Sequence, residues 1–161
     1  MATRNFLKPA TEAILNKAVH SELFASNLYK HLSNHMQRLG YFGAQKFFAG
    51  ESADELTHYQ KLADYMNDRG SVANIPMVEA MRDKPTGLLD ALEVAFDTEV
   101  ELMENYEKWY DEADCITQQF LLQFLEIQRK SVGEYGDLLA RINLIGDDKC
   151  GLIIIDQELG E

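Results

Sequence analysis

Apolar residues recur along almost the whole chain at spacings of three and four, the period of an α-helix rather than the alternation of a strand. The first stripe, Ile14, Ala18, Ala25, Tyr29, Leu32 and Met36, predicts a helix over 9–38, with Pro9 suited to its first turn and Gly40 and Gly43 punctuating the exit. A second stripe, Phe48, Leu62, Tyr65 and Met66, predicts a helix over 42–69 that stops where Gly70 fits a left-handed C′ position. Between Ser71 and Gly87 the periodicity fails and Pro76 and Pro85 intervene, so a long connection is expected. Leu88, Leu92, Phe96, Met103, Tyr106 and Tyr110 mark a third helix over 87–112. After a break near Asp114, Phe120, Phe124, Tyr135, Leu138 and Ile142 mark a fourth over 116–145, ended at Gly146, and a short segment over 151–159 begins apolar. Helices of this length are roughly 39 Å long. Two such pairs joined by a crossover describe an all-α four-helix bundle with one long connection.

Polar residues interrupt each stripe where the core should be. Glu22 lies between Ala18 and Ala25, Glu55 follows Phe48 at i+7 with His58 three residues on, the third stripe passes through Glu99, and Gln128 sits between Phe124 and Tyr135. Buried charge is costly unless it meets an opposite charge or a metal, and no Lys or Arg shares these stripes, so a cation is needed. Residues i and i+3 share a helical face, so Glu55 and His58 can meet one ion. Carboxylate oxygens with few imidazoles favour iron or manganese over a thiolate zinc site, and Glu22, Glu55, Glu99 and His58 suffice for two ions bridged by a carboxylate.

Composition narrows the rest. A chain of 161 residues suits a single domain over 1–161, and 15 Lys+Arg against 27 Asp+Glu give a net charge of −12. That balance argues against a nucleic-acid or anionic-membrane surface and suits a protein that attracts cations. Cys115 and Cys150 form neither a C-x-x-C motif nor a disulfide framework, the first residues lack the apolar stretch of a secretory signal, and no run approaches the length of a membrane span. The expected location is the cytoplasm.

The chain resembles the ferritins. The resemblance rests on Ser21-Glu22-Leu23 with Tyr29, on Asp54-Glu55-Leu56-Thr57-His58, on Glu99, on Leu125-Glu126-Ile127-Gln128, on Glu134-Tyr135-Gly136-Asp137-Leu138, and on Gly151 to Leu159, which is similar to the short fifth helix of bacterial-type ferritins. It implies a ferritin-like four-helix bundle with a short C-terminal fifth helix, and an iron-storage protein that oxidises Fe(II) with O2 and assembles as a 24-subunit homo-oligomer. It further implies that Glu22 and His58 bind a first iron, Glu55 bridges, Glu99 binds the second, and Gln128 lies beside that second iron. Tyr29 would be a hydrogen-bond donor and electron source next to the centre, though pattern alone equally allows a core tyrosine.

Two departures from relatives of this type shape the expectations. Haem-binding bacterioferritins carry a second Glu-x-x-His where this chain has Gln128 and Ser131, so no haem and no symmetric site are expected. Many bacterial ferritins add inner-surface glutamates for a third iron; here the positions read Asp54, Ile127, Lys130 and Ser131, which predicts two irons per subunit with Asp54 at most a transient site. His31 and His35 read as a solvated pair, Glu51 as either an assistant to the site or the start of a solvated face, and Glu101, Glu104 and Glu107 as surface. Two rival classes are a di-iron oxygenase acting on an organic substrate and a metal-free structural bundle.

Overall fold

Four long helices and a short fifth account for most of residues 4–161, which the computed structural model describes. They are α1 (Pro9–Leu39), α2 (Phe42–Asp68), α3 (Leu88–Glu112), α4 (Cys115–Ile145) and α5 (Lys149–Leu159). The first four form a bundle in which α1 pairs with α2 and α3 with α4, and α1 also packs on α3. The expected elements therefore all form, with ends displaced by a residue or two. The start of α5 moves furthest, from 151 to Lys149, because Asp148 caps it by accepting the amide of Gly151 at 3.0 Å. Asp114 caps α4 in the same way, through the amides of Ile116 and Thr117 at 3.1 and 3.0 Å. Gly70 adopts φ 77° after α2, and a Cβ there would lie 2.3 Å from the Arg4 carbonyl oxygen, so both conformation and space require glycine.

On α3 the buried face differs from the expected stripe. Phe96, Met103 and Tyr110 are only partly buried, whereas Leu88, Leu92, Ala95, Glu99, Leu102, Tyr106 and Trp109 face the core. Their spacing alternates four and three, the seam of closely aligned helices, and small Ala91 and Ala95 let the neighbouring helix approach. Leu88, Leu92, Glu99 and Tyr106 belong to both readings. The connection between α2 and α3 has no regular structure and climbs along α1. The Ser71 hydroxyl donates to the Glu12 carboxylate, the Asn74 amide to Asn16 Oδ1 at 2.8 Å, and His20 meets Glu79 at 3.2 Å. His31 Nε2 bonds the Asp83 carbonyl at 2.6 Å, so it anchors this connection as well as contacting His35, whose ring centroid is 4.5 Å away.

The fifth helix is held against the start of α2. The buried Asp156 carboxylate accepts the amides of Gly43 and Ala44 at 3.2 and 2.7 Å, placing an anion at a helix N-terminus. Of the apolar run at 152–155, only Ile155 is fully buried; Leu152 is half-buried, and Ile153 and Ile154 face outward. No helix among the described residues is long and apolar enough to cross a membrane. A Cβ on Gly43 would sit 1.6 Å from the Asp156 carbonyl oxygen. Gly43→Ala is therefore expected to push α5 off α2 and to cost about 1–3 kcal/mol, a fall of several degrees in Tm by calorimetry. An unchanged Tm would show that α5 does not need this contact.

Candidate metal centre

Each long helix places one carboxylate or amide side chain at mid-length on its core face. Glu22 of α1, Glu55 of α2 and Glu99 of α3 are 0, 5 and 1 % exposed, and Gln128 of α4 is fully buried. These are the positions that interrupt the apolar stripes, so helical periodicity itself aims them inward. Candidate ligand atoms of Glu22, Glu55 and His58 lie within 4.8 Å of one another. His58 Nδ1 is 2.7 Å from Glu55 Oε2 and 3.6 Å from Glu22 Oε2. Glu99 lies outside that trio, with one oxygen held by the Tyr29 hydroxyl. Asp54 points away on the exposed side of α2.

The electrostatics are those of an incomplete site. Among the described residues, His58 is the one basic side chain paired with any of the three buried glutamates, and it reaches Glu22 and Glu55 but not Glu99. Burial drives Glu55 well above the usual carboxylate range despite its bond to His58, with Glu22 and Glu99 adding to the rise. Burial likewise raises Glu99, which the Tyr29 hydrogen bond opposes and Glu51 and Glu22 reinforce, to about 7. For His58 burial disfavours the charged ring, but hydrogen bonds and charge from Glu22 and Glu55 outweigh it and push the pKa up to about 10. Of the five buried side-chain atoms without a hydrogen-bond partner among the described residues, four lie here: Glu22 Oε2, Glu99 Oε2, and both amide atoms of Gln128. Each such orphan costs roughly 1–3 kcal/mol. A donor set of hard oxygens, one imidazole and unspent lone pairs fits divalent iron.

An aromatic shell encloses the four residues. The Tyr106 hydroxyl donates to Glu22, and its ring stacks on Phe124 at 5.0 Å, which in turn meets His58 edge-on at 6.0 Å. On the opposite side, Tyr29 stacks between Phe48 and Tyr135 at 6.1 and 6.4 Å. Reading the sequence missed Tyr106 as a partner of Glu22, taking it for an apolar stripe residue. Its place one heptad after Glu99 was the available signal. Glu51, left open between two readings, is half-buried and accepts a hydrogen bond from Tyr135 at 2.9 Å. Burial raises its proton affinity, opposed by that bond and aided by Asp54 and Glu134.

Comparisons with known proteins agree with this architecture. Residues 12–145 match the ferritin-like domain model. The chain is 30% identical over 151 residues to a probable bacterial non-heme ferritin-like protein of Haemophilus influenzae, covering 91% of this chain and 92% of that one. It is 28% identical over 154 residues to a bacterial non-heme ferritin of Bacteroides fragilis, covering 91% and 94%. The fold superposes with a TM-score of 0.92 on an open-pore ferritin from the archaeon Archaeoglobus fulgidus, at 24% identity and with 95% and 97% of the two chains covered. With the match to the family model spanning most of its length, and a five-helix bundle of the same form, the chain belongs to the ferritin family, as a ferritin of the bacterial non-haem type.

Proposed function

We propose that this chain is the subunit of an iron-storage shell, a homo-oligomer of 24 copies, and that it oxidises Fe(II) with O2 before ferric product passes to the enclosed cavity. The observation that carries this reading is the excess of buried carboxylate over buried positive charge around Glu22, Glu55, His58 and Glu99. Iron is the substrate here. Glu22 and His58 bind the first Fe(II), Glu55 spans both ions, Glu99 takes the second, and the orphaned Gln128 amide orients O2 or water beside it. Carboxylate ligands stabilise Fe(III) more than Fe(II), because their negative charge favours the more highly charged ion, and so lower the barrier to oxidation. Membership of the ferritin family supports the storage role. Exposed apolar residues on the crossover, Val72, Ile75 and Met77, and on α5, Ile153 and Ile154, support burial against further copies.

Size-exclusion chromatography with iron analysis after aerobic Fe(II) loading tests the storage reading. The expected result is a large hollow particle holding far more iron than its centres bind; a small oligomer with only two irons per chain would overturn it. Glu55→Ala should abolish rapid Fe(II) oxidation in stopped flow while assembly persists, since removing a buried acid does not unfold the bundle. Oxidation at the wild-type rate would sink the assignment. Tyr29→Phe keeps the ring and loses only the hydroxyl, so its rate should fall by less, within about tenfold.

Protons and metal compete for the centre. A metal must displace the proton that His58, with its pKa near 10, holds, and the one that Glu99, near 7, partly holds at neutral pH. Binding of redox-inert Zn(II) should therefore strengthen as pH rises from about 6 to about 8, with proton release seen by calorimetry in buffers of different ionisation enthalpy. Affinity independent of pH would mean that other groups bind the ion.

Two ordered irons per subunit are expected. Asp54 is exposed, and Glu126, the acid nearest Gln128 in sequence, is engaged by Arg129 at 2.8 Å and Lys130 at 3.7 Å. A third iron would lack free negative ligands there. Anomalous diffraction at the iron edge from Fe(II)-soaked crystals checks this, and a well-occupied third peak bound by Asp54 would refute it.

A further inference from the structure

The half of the centre around Glu99 holds a polar pair, buried Tyr135 and half-buried Glu51, that the proposed metal binding does not use. The Tyr135 hydroxyl donates to Glu51 at 2.9 Å, and the Tyr135 ring lies within 5° of parallel to Tyr29, centroids 6.4 Å apart. Tyr29 donates in turn to Glu99. Each phenol thus has its own carboxylate acceptor, and the rings are offset-stacked. Phe47 and Phe48 flank them, with centroids 5.9 Å from Tyr135 and 6.1 Å from Tyr29. Packing alone gives no reason for this arrangement: a leucine or phenylalanine would fill the space without desolvating a carboxylate, and one hydrogen bond recovers only about 1 kcal/mol of that cost.

The chemistry that the pair suits is one-electron transfer. A phenol gives up an electron readily only if its proton leaves at the same time, and Glu51 stands where that proton must go. Burial raises the proton affinity of Glu51, which makes it a better base than an exposed carboxylate, while burial also keeps the Tyr135 phenol protonated at rest. Tyr135 lines a surface cleft of about 410 Å³ together with Phe47, Glu134 and Arg141, which gives protons a nearby exit. Tyr106, by contrast, donates to Glu22, itself assigned to iron.

The geometry points to Tyr135, with Glu51 as its proton acceptor, as a second redox-active tyrosine that acts through Tyr29 and lets one subunit reduce O2 to water. This rests on the ferroxidase reading above. Two Fe(II) supply two electrons, enough only for H2O2. Tyr29, nearest the centre, supplies a third; Tyr135 refills it across the stacked rings, and Tyr29 supplies the fourth. The O–O bond breaks and four O–H bonds form, with two protons released by the phenols and two taken from solvent. Two Fe(III) and two tyrosyl radicals remain, and two further Fe(II) reduce the radicals, which take two protons back from solvent, that of Tyr135 by way of Glu51.

The test adds two Fe(II) per chain to the metal-free assembled protein under excess O2 and measures H2O2 released per O2 consumed, with freeze-quench EPR on the same samples. Wild type is expected to release little H2O2 and to show a tyrosyl radical. Tyr135→Phe keeps the ring and should release severalfold more H2O2 per O2, with about half the radical signal. Glu51→Gln keeps the phenol and removes the base, so it should shift both readings the same way, and it preserves the test if Tyr135→Phe disturbs packing. Equal peroxide yields and radical signals in all three proteins would overturn the proposal, as would a radical that is lost in Tyr106→Phe but retained in Tyr135→Phe. Either result leaves the ferroxidase reading standing; a wild type that does not oxidise Fe(II) at all would overturn both.

Discussion

Three carboxylates on three helices are brought into one water-excluded core with a single imidazole among them, and the rest of the structure follows from that cost. Desolvating glutamates without matching positive charge is unfavourable, so the surrounding bundle must overdetermine their positions. It does so with long helices whose core seams continue on both sides of the polar layer, with Leu15, Leu28, Met36, Phe48, Leu62 and Met66 buried around it on α1 and α2 alone. The raised proton affinities of Glu55 and Glu99 are the same cost seen as acid–base chemistry. A divalent ion that replaced those protons would relieve it, and its binding would then be coupled to the stability of the bundle.

The centre is asymmetric. One half holds Glu22, Glu55 and His58, closed off by Tyr106 and Phe124. The other holds Glu99, Tyr29, Tyr135 and Glu51, with each phenol donating to a carboxylate. Gln128, neutral and unpartnered, lies on the helix that lacks a Glu-x-x-His pair. On the proposed reading, ligands of unequal charge would hold two substrate ions unequally, which suits a centre that releases product rather than one that retains a permanent cofactor.

Peripheral contacts are arranged around this core. The crossover is tied to α1 at Asn16, His20 and His31, and the fifth helix is locked to α2 by the Asp156 carboxylate on the amides of Gly43 and Ala44. Both segments leave apolar side chains facing outward, so the subunit presents its unfinished surfaces at the bundle's outer flank and at its C-terminal end.

The number, order and near-exact bounds of the helices are legible along the chain, as is the inward position of Glu22, Glu55, Glu99 and Gln128, because a helical period fixes which residues share a face whatever the partner. The same period places His58 beside Glu55, since i and i+3 contacts are local. Only the tertiary structure decided which face of α3 is the seam, exchanging Phe96, Met103 and Tyr110 for Ala95, Leu102 and Trp109, because that choice depends on how closely a neighbouring helix approaches. The partners of the phenols were likewise beyond reach. Tyr106 with Glu22 and Tyr135 with Glu51 are each 84 positions apart, and a pairing across that separation is set by the packing of helices, not by any spacing along the chain.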